Sequence, residues 1–447
     1  MSTHQTIVVE LGCSRIKVGF AGEPKPRRVL SSGDGGALGI DDGMCTSSCT
    51  WNHFYSYLSS SSDAVIGGDN AHSKVTSSYD WEKTLYPLFS YILTSILFIQ
   101  RPSRHRILVL MNDIFPPRHL REALLRVLLD YLNLGSVLLV NGGGFGSVQY
   151  LLEGMNLSSN PLMTQQPKAS LVVDIGTNEA RVAVLVPGAS FLVETYQAIP
   201  AGYQAFLRKV LALYQEANED WATNATVEDV NVIVQAWMSA PNTDISTAAT
   251  TISVELPTLM KQSNDLSEAS AVSSTIQVSV QPLLEAFHQV YLDYTQPTSL
   301  VYAILNSVLA SPIDFRKVAL QNIILLGGGS VALRSFGKGL KMEVENAIKS
   351  ACGVSLGDDT QAMEEEKKDD GMEVSSIAQG RFQSLKAAVE RSGGQEGGVQ
   401  VKYPDPFAAD VAHWIGASVM GKLRLSNEDW ISVDSSAVSA GGERLRR

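Results

Sequence analysis

The sequence predicts an α/β protein assembled from two copies of one strand-turn-strand unit, and three observations carry that prediction. An apolar strand ending in a carboxylate, followed after one residue by glycine, occurs at Ile7-Val8-Val9-Glu10-Leu11-Gly12 and recurs at Leu171-Val172-Val173-Asp174-Ile175-Gly176. A third apolar strand, Ile323-Ile324-Leu325-Leu326, runs into Gly327-Gly328-Gly329-Ser330. Hydrophobic content of 45% against 18% charged residues is that of a folded chain, and 447 residues are ample for two cores.

A strand that delivers a carboxylate to its end, followed by a glycine that lets backbone N–H groups approach closely, suits a magnesium-bound phosphate. Two such turns facing each other would clamp a nucleotide from both sides. Residues 5–30 read as strand, turn, strand, with Gly19-Phe20-Ala21-Gly22 and the prolines Pro24 and Pro26 marking the exit. Residues 31–80 change character. Twelve serines and seven glycines in these fifty positions predict a mobile stretch without strand alternation.

From Trp81 the periodicity returns. Leu85 to Ile99 is almost wholly apolar, but it is shorter than the roughly 20 residues of a membrane span and holds Pro87, Ser90, Thr94 and Ser95, so it predicts a buried helix. A short strand, Ile107 to Met111, precedes Pro116-Pro117, which open a helix with the polar stripe Arg118, Glu122, Arg126, Asp130. Alternating charge at that spacing reads as a solvated helix surface more readily than as a partner face. Val137 to Val140, the run Gly142-Gly143-Gly144 and an apolar helix ending near Gly154 follow.

Pro161 to Pro167 marks a domain boundary, because the second acidic turn opens a fresh unit just after it. The division expected is a first lobe at 1–165, a second at 166–404 and a return to the first at 405–447. A helix from Ala205 to Gln215 leads into mixed helix through Leu309, and another helix from Asp314 runs into the third glycine strand. Residues 353–400 read as a surface insertion: 357–371 carries seven acidic residues against Lys367 and Lys368, the pattern of a solvated loop. Phe407 to Leu423 resumes as helix, with Trp414 expected in the core.

A net charge of −11 argues against a sequence-independent grip on nucleic acid, leaving proteins or a small molecule as partners. Ile7 already enters a strand, which predicts no secretory leader. Four cysteines in so long a chain make no disulfide framework, so a reducing, cytoplasmic setting is expected. Cys45, Cys49 and His53 are one ligand short of a structural zinc site, so no zinc is expected.

Strand-acid-x-Gly twice, then strand-Gly-Gly, resembles the superfamily of actin, hexokinase and the heat-shock chaperones. Lys17-Val18-Gly19-Phe20-Ala21-Gly22, Phe315-Arg316-Lys317, Ile323 to Ser330 and Trp414-Ile415-Gly416 look like actin specifically. Leu85 to Asp113, Pro117 to Val140 and Ser311 to Lys317 are similar to the divergent actin-related branch found in the dynactin pointed-end complex. The resemblance implies an actin-like duplicated ribonuclease-H-like fold, with two lobes around a nucleotide cleft and residues 31–80 as a degenerate small subdomain.

Carried over position by position, the resemblance makes Glu10 and Asp174 the carboxylates that hold a hydrated magnesium. Lys17 then reaches the phosphates, and Gly12, Cys13, Ser14, Gly176, Thr177, Gly327, Gly328 and Gly329 line the nucleotide. The chain departs from actin at several of these positions. Glu10 replaces aspartate, Cys13 replaces serine, Ser14 replaces glycine, and Thr177, Asn178 and Glu179 replace an Asp-Gly-Val run. The water-orienting glutamine and histidine of actin align with Gly142 and Arg181, and glycine has no side chain for positioning. Arg181 could instead hold phosphate as a fixed cation. A Lys-Glu pair expected around Asn231 and Val232 is absent, and Asp410 falls where a lysine is expected.

These departures predict a structural subunit with little or no ATP hydrolysis, in which ATP or ADP with magnesium is a structural ligand where it binds at all. The resemblance implies a non-polymerising cap on a short actin-like filament, with an actin-related filament subunit and other dynactin pointed-end proteins as partners, dynein reached indirectly, and neither nucleic acid nor membrane insertion. Two other readings stay open. One is an active ATPase or sugar kinase of the same fold; the other is a nuclear actin-related subunit of a chromatin-remodelling complex.

Overall fold

The structure, a computed structural model, describes residues 5–31, 81–111, 116–140, 145–157, 169–186, 191–217, 219–223, 225–239, 251–255, 275–332, 336–350, 385, 398–423 and 430–432. The chain divides into two compact units, Met1–Gln165 with Val411–Arg447, and Gln166–Asp410. The expectations for residues 32–80, including Cys45, Cys49 and His53, for Gly142 and for the acidic run 357–371 fall outside the described residues.

In the first unit, strands β1 (Thr6–Leu11), β2 (Arg15–Phe20), β3 (Arg28–Ser31), β4 (Arg106–Met111) and β5 (Ser136–Val140) form one sheet in the order β3-β2-β1-β4-β5. The β1–β2 and β2–β3 pairs are antiparallel, while β1–β4 and β4–β5 are parallel. Ile7, Val8, Val9, Leu108 and Val109 are fully buried, because a strand in the middle of such a sheet is covered on both faces and so reads as a continuous apolar run.

The segment expected as a buried helix is amphipathic instead. Helix Trp81–Tyr91 runs on into a π-helical turn, Ile92–Ile96; it buries Trp81, Leu85, Leu88, Phe89, Ile92 and Leu93 and leaves Tyr86, Thr94 and Ser95 in solvent. Helix Arg118–Leu125 likewise continues as a π turn, Arg126–Tyr131. Its polar stripe is a solvated surface tied to the neighbouring helix. Arg118 pairs with Glu122 at 2.7 Å, and Glu82 receives both Arg126 at 2.7 Å and the Tyr131 hydroxyl at 2.6 Å.

Both of these helices stop in the same way. Leu97 and Ile99 donate back to the carbonyls of Ile92 and Leu93, and Leu132 and Leu134 donate to those of Val127 and Leu128. The residue between each pair of donors is left-handed: Phe98 has φ 54° and Asn133 has φ 53°. Asparagine adopts this conformation readily, whereas phenylalanine pays a steric cost there.

The second unit repeats the architecture. Strands β6 (Ser170–Ile175), β7 (Ala180–Leu185) and β8 (Gln197–Ile199) are antiparallel in succession, and β11 (Ile323–Leu326) and β12 (Val401–Lys402) add in parallel, giving β12-β11-β6-β7-β8. Strand for strand, this is the order and direction of the first sheet. Helices Tyr203–Glu216, Leu300–Ala310 and Phe336–Ser350 pack on a core in which Phe206, Phe287, Tyr291 and Phe336 meet at ring-centroid distances of 5.3 to 6.2 Å.

Strands β9 (Thr251–Glu255) and β10 (Thr275–Ser279) form an antiparallel pair inside the region expected as mixed helix. Each has only two apolar residues, alternating with Thr, Ser, Glu or Gln, which is too short a pattern to outweigh the helical periodicity around it. The return to the first unit comes at Val411 rather than 405, because the Gly327 N–H donates to the Ala409 carbonyl at 3.0 Å and ties that segment to β11. The helix expected from Phe407 accordingly starts later, as Ala412–Lys422. Trp414 is a core residue of the first unit, fully buried, with Nε1 donating to the Val8 carbonyl at 3.3 Å. No helix among the described residues is long and apolar enough to cross a membrane.

Candidate functional site

The first acidic turn joins β1 to β2. Gly12 N–H donates to the Arg15 carbonyl at 3.0 Å, and a Cβ at Gly12 would stand 2.4 Å from that oxygen, so the closed turn requires glycine. This closure sets Glu10 directly opposite Lys17 in the ladder. Lys17 Nζ lies 2.5 Å from Glu10 Oε1, and both residues are 6% exposed. Lys17 Nζ is thus directed to Glu10 across the hairpin. Gly12, Cys13 and Ser14 are half-buried at the bend.

The second turn joins β6 to β7 with the same geometry. Gly176 N–H donates to the Glu179 carbonyl at 2.9 Å, and Asp174 faces Arg181 across the ladder. Arg181 Nη2 donates to Asp174 Oδ2 at 2.6 Å, and Arg181 Nε lies 3.6 Å from Glu179 Oε1. Asp174 is 2% and Arg181 5% exposed. The repeat thus reaches beyond the backbone: each acid at a strand end meets a cation seven residues on, brought opposite by one turn.

Two further segments hold the second turn in place. Gly202 precedes helix Tyr203–Glu216, whose first amides donate to the turn, Tyr203 to the Gly176 carbonyl at 3.0 Å and Gln204 to that of Thr177 at 2.8 Å. A Cβ at Gly202 would sit 2.3 Å from the Asn178 carbonyl carbon and 2.4 Å from the Glu179 nitrogen. Gly327, at φ 88°, lies equally close on the other side, where a Cβ would fall 2.3 Å from the Ile175 oxygen and 2.4 Å from Asp174 Oδ1. A Cβ at Gly329 would meet Ile175 Cγ2 at 2.5 Å, while one at Gly328 would meet nothing within 4 Å. Gly327 and Gly329 are glycines for close packing against the second turn; Gly328 alone faces open space.

In the second unit the structure brings together Asp174, Gly176, Thr177, Arg181, Gly327 and Gly329, and it adds Gly202, which the motifs did not single out. A glycine immediately before a periodic helix was the available signal. Glu10, Gly12, Cys13, Ser14 and Lys17 share the β1–β2 hairpin of the first unit. Asn231 accepts a hydrogen bond from the Tyr203 hydroxyl at 2.9 Å, and Val232 packs against the core. Burial pushes the Tyr203 phenol above its ordinary range, with the hydrogen bond from Gln235 working the other way. Asp410 is half-buried.

The actin family matches over residues 1–218. Actin-related protein 10 of Dictyostelium discoideum is 20% identical over 230 residues, covering 51% of this chain and 43% of that protein. The similarity therefore spans less than half the length of that curated relative. Two sheets of identical strand order, each opened by an acid-x-glycine hairpin, accord with this match: residues 1–218 carry an actin-family domain, and the chain is similar to a divergent actin-related protein.

Proposed function

We propose that this chain is a non-polymerising actin-related subunit that caps the pointed end of the short actin-like filament of dynactin, and so supports dynein-driven microtubule transport and cargo attachment. Its partners are then an actin-related filament subunit and other dynactin pointed-end proteins, with dynein reached indirectly, in the cytoplasmic cytoskeleton. Neither nucleic acid nor a lipid bilayer belongs to this reading.

The observation that carries it is the buried Asp174–Arg181 pair. A subunit whose polymerisation is coupled to hydrolysis must orient and deprotonate a water, and a guanidinium has no acceptor lone pair and stays protonated. Arg181 is moreover engaged with Asp174 at 2.6 Å. Nucleotide, ATP or ADP, then serves structure and not turnover. The similarity to an actin-related protein supports the same reading, as do the stretches from Leu85 to Asp113 and Ser311 to Lys317. The first of these exposes Phe98 at 78% and Tyr86 at 45%, apolar area suited to a protein neighbour.

The test is sedimentation and electron microscopy of the purified chain with ATP, alone and with preformed filaments of an actin-related subunit. Binding at one filament end without self-assembly is expected, with ATP turnover at background. Polymerisation of the isolated chain would overturn the proposal. Affinity purification that recovers chromatin-remodelling ATPases and no dynein-associated subunit would favour the nuclear alternative.

A further inference from the structure

The acidic turns of this chain carry the carboxylates of a magnesium site, yet their surroundings do not fit one. Magnesium takes a nearly octahedral shell of oxygens at about 2.0–2.1 Å and keeps several of its waters, so a carboxylate that serves it must present an oxygen to solvent. Asp174 is 2% exposed. Its Oδ2 is taken by Arg181 Nη2 at 2.6 Å, and its Oδ1 lies under the backbone of Gly327, where even a Cβ would stand 2.4 Å away. A fixed guanidinium in contact with the carboxylate supplies the positive charge that a metal would otherwise bring, without a hydration shell to strip.

We infer that Arg181 takes the place of a divalent cation at the second turn: its guanidinium neutralises Asp174 from within, and the turn holds its shape without metal. The turn is braced on every side by the chain's own groups. Gly176 N–H closes it on Glu179, the first amides of helix Tyr203–Glu216 engage the Gly176 and Thr177 carbonyls, and Gly327 and Gly329 cover Asp174 and Ile175. The first hairpin is built alike, with Glu10 Oε1 held by Lys17 Nζ at 2.5 Å. The inference stands on the geometry of the second unit and is independent of the filament-end reading.

The experiment compares thermal unfolding of the full chain in EDTA with unfolding in millimolar Mg²⁺, together with Mn²⁺ binding followed by electron paramagnetic resonance. The native chain is expected to show no metal-dependent midpoint shift and no tightly bound Mn²⁺. Arg181→Gln uncovers the Asp174 carboxylate, so it should lose stability in EDTA and regain several degrees with metal, since a ligand at about 100 times its dissociation constant stabilises a folded domain appreciably. It should also acquire Mn²⁺, whereas Arg181→Lys, which keeps a cation, should not. The Asp174→Asn/Arg181→Gln double variant removes both charges and should be indifferent to metal.

Should Arg181→Gln fail to fold in EDTA, refolding in Mg²⁺ decides: recovery supports the inference and absence of recovery overturns it. A metal-dependent rise in the native chain that Asp174→Asn abolishes would also overturn it, as would an Arg181→Gln variant with no gain from metal.

Discussion

Replacing Lys17 by methionine strips the cation from a carboxylate already sealed in the first unit. Glu10 and Lys17 are each 6% exposed and 2.5 Å apart, and at an effective dielectric of about 20 their attraction is on the order of 7 kcal/mol. Removing two such charges from water costs several kcal/mol per ion, so the intact pair is worth little net. Breaking it is another matter. Among the described residues Glu10 Oε2 has no hydrogen-bond partner, and Lys17 is the cation set against the carboxylate. Lys17→Met should therefore destabilise the first unit by about 3–5 kcal/mol, while Glu10→Gln with Lys17→Met should cost about 1 kcal/mol or less. Urea denaturation followed by tryptophan emission measures both, since Trp81, Trp414 and Trp430 are buried in that unit. A single variant costing under about 1 kcal/mol, or a double variant that is merely the sum of the two singles, would refute the reasoning.

Gly416→Ala should cost about 1–3 kcal/mol by overpacking, because its Cβ would lie 2.2 Å from the Ser147 carbonyl oxygen where helices Phe145–Leu157 and Ala412–Lys422 touch. Gly146→Ala, with nothing within 4 Å, should instead be neutral or stabilising in the same melting experiment. Phe98→Asn relieves a left-handed phenylalanine and should raise stability by about 1 kcal/mol in urea. Burial raises the phenol pKa of Tyr291, with a smaller contribution from Tyr203, and raises that of Tyr214, with a smaller contribution from Glu219. A raised folded pKa gives stability that is complete below the unfolded value of about 10 and is lost as pH climbs above it. Urea midpoints should therefore fall as pH rises above about 10, and ultraviolet absorbance should show these phenolates appearing only with unfolding. Full ionisation with the circular dichroism intact would contradict that.

The backbone of both hairpins was legible in the sequence, because a run of buried β residues, an acid and a glycine leave few alternatives at Ile7 to Gly12 and at Leu171 to Gly176. The helices from Trp81 and Pro116-Pro117 were legible too, but the burial of the first was overstated: composition counts Tyr86 and Phe98 as apolar without saying which way they point. The β9–β10 pair was lost because alternation over five residues is a weak pattern. At the candidate site, residue types were readable and partnerships were not. Lys17 and Arg181 each stand seven residues after an acid, a spacing that becomes a contact only once the turn length fixes the ladder register. Gly202 lies 26 residues beyond Gly176 and acquires meaning only when its helix folds back onto the turn.

The sequence by itself determined the duplicated α/β units and the acid-x-glycine turns, since those depend on local periodicity and on glycine at a bend. Tertiary structure alone decided what the acids do. Cross-strand register set Lys17 and Arg181 against them, and the packing of Gly202, Gly327 and Gly329 sealed the second turn. A carboxylate's chemistry depends on what lies within a few ångströms of it, and that is fixed by the fold and not by neighbours in the chain.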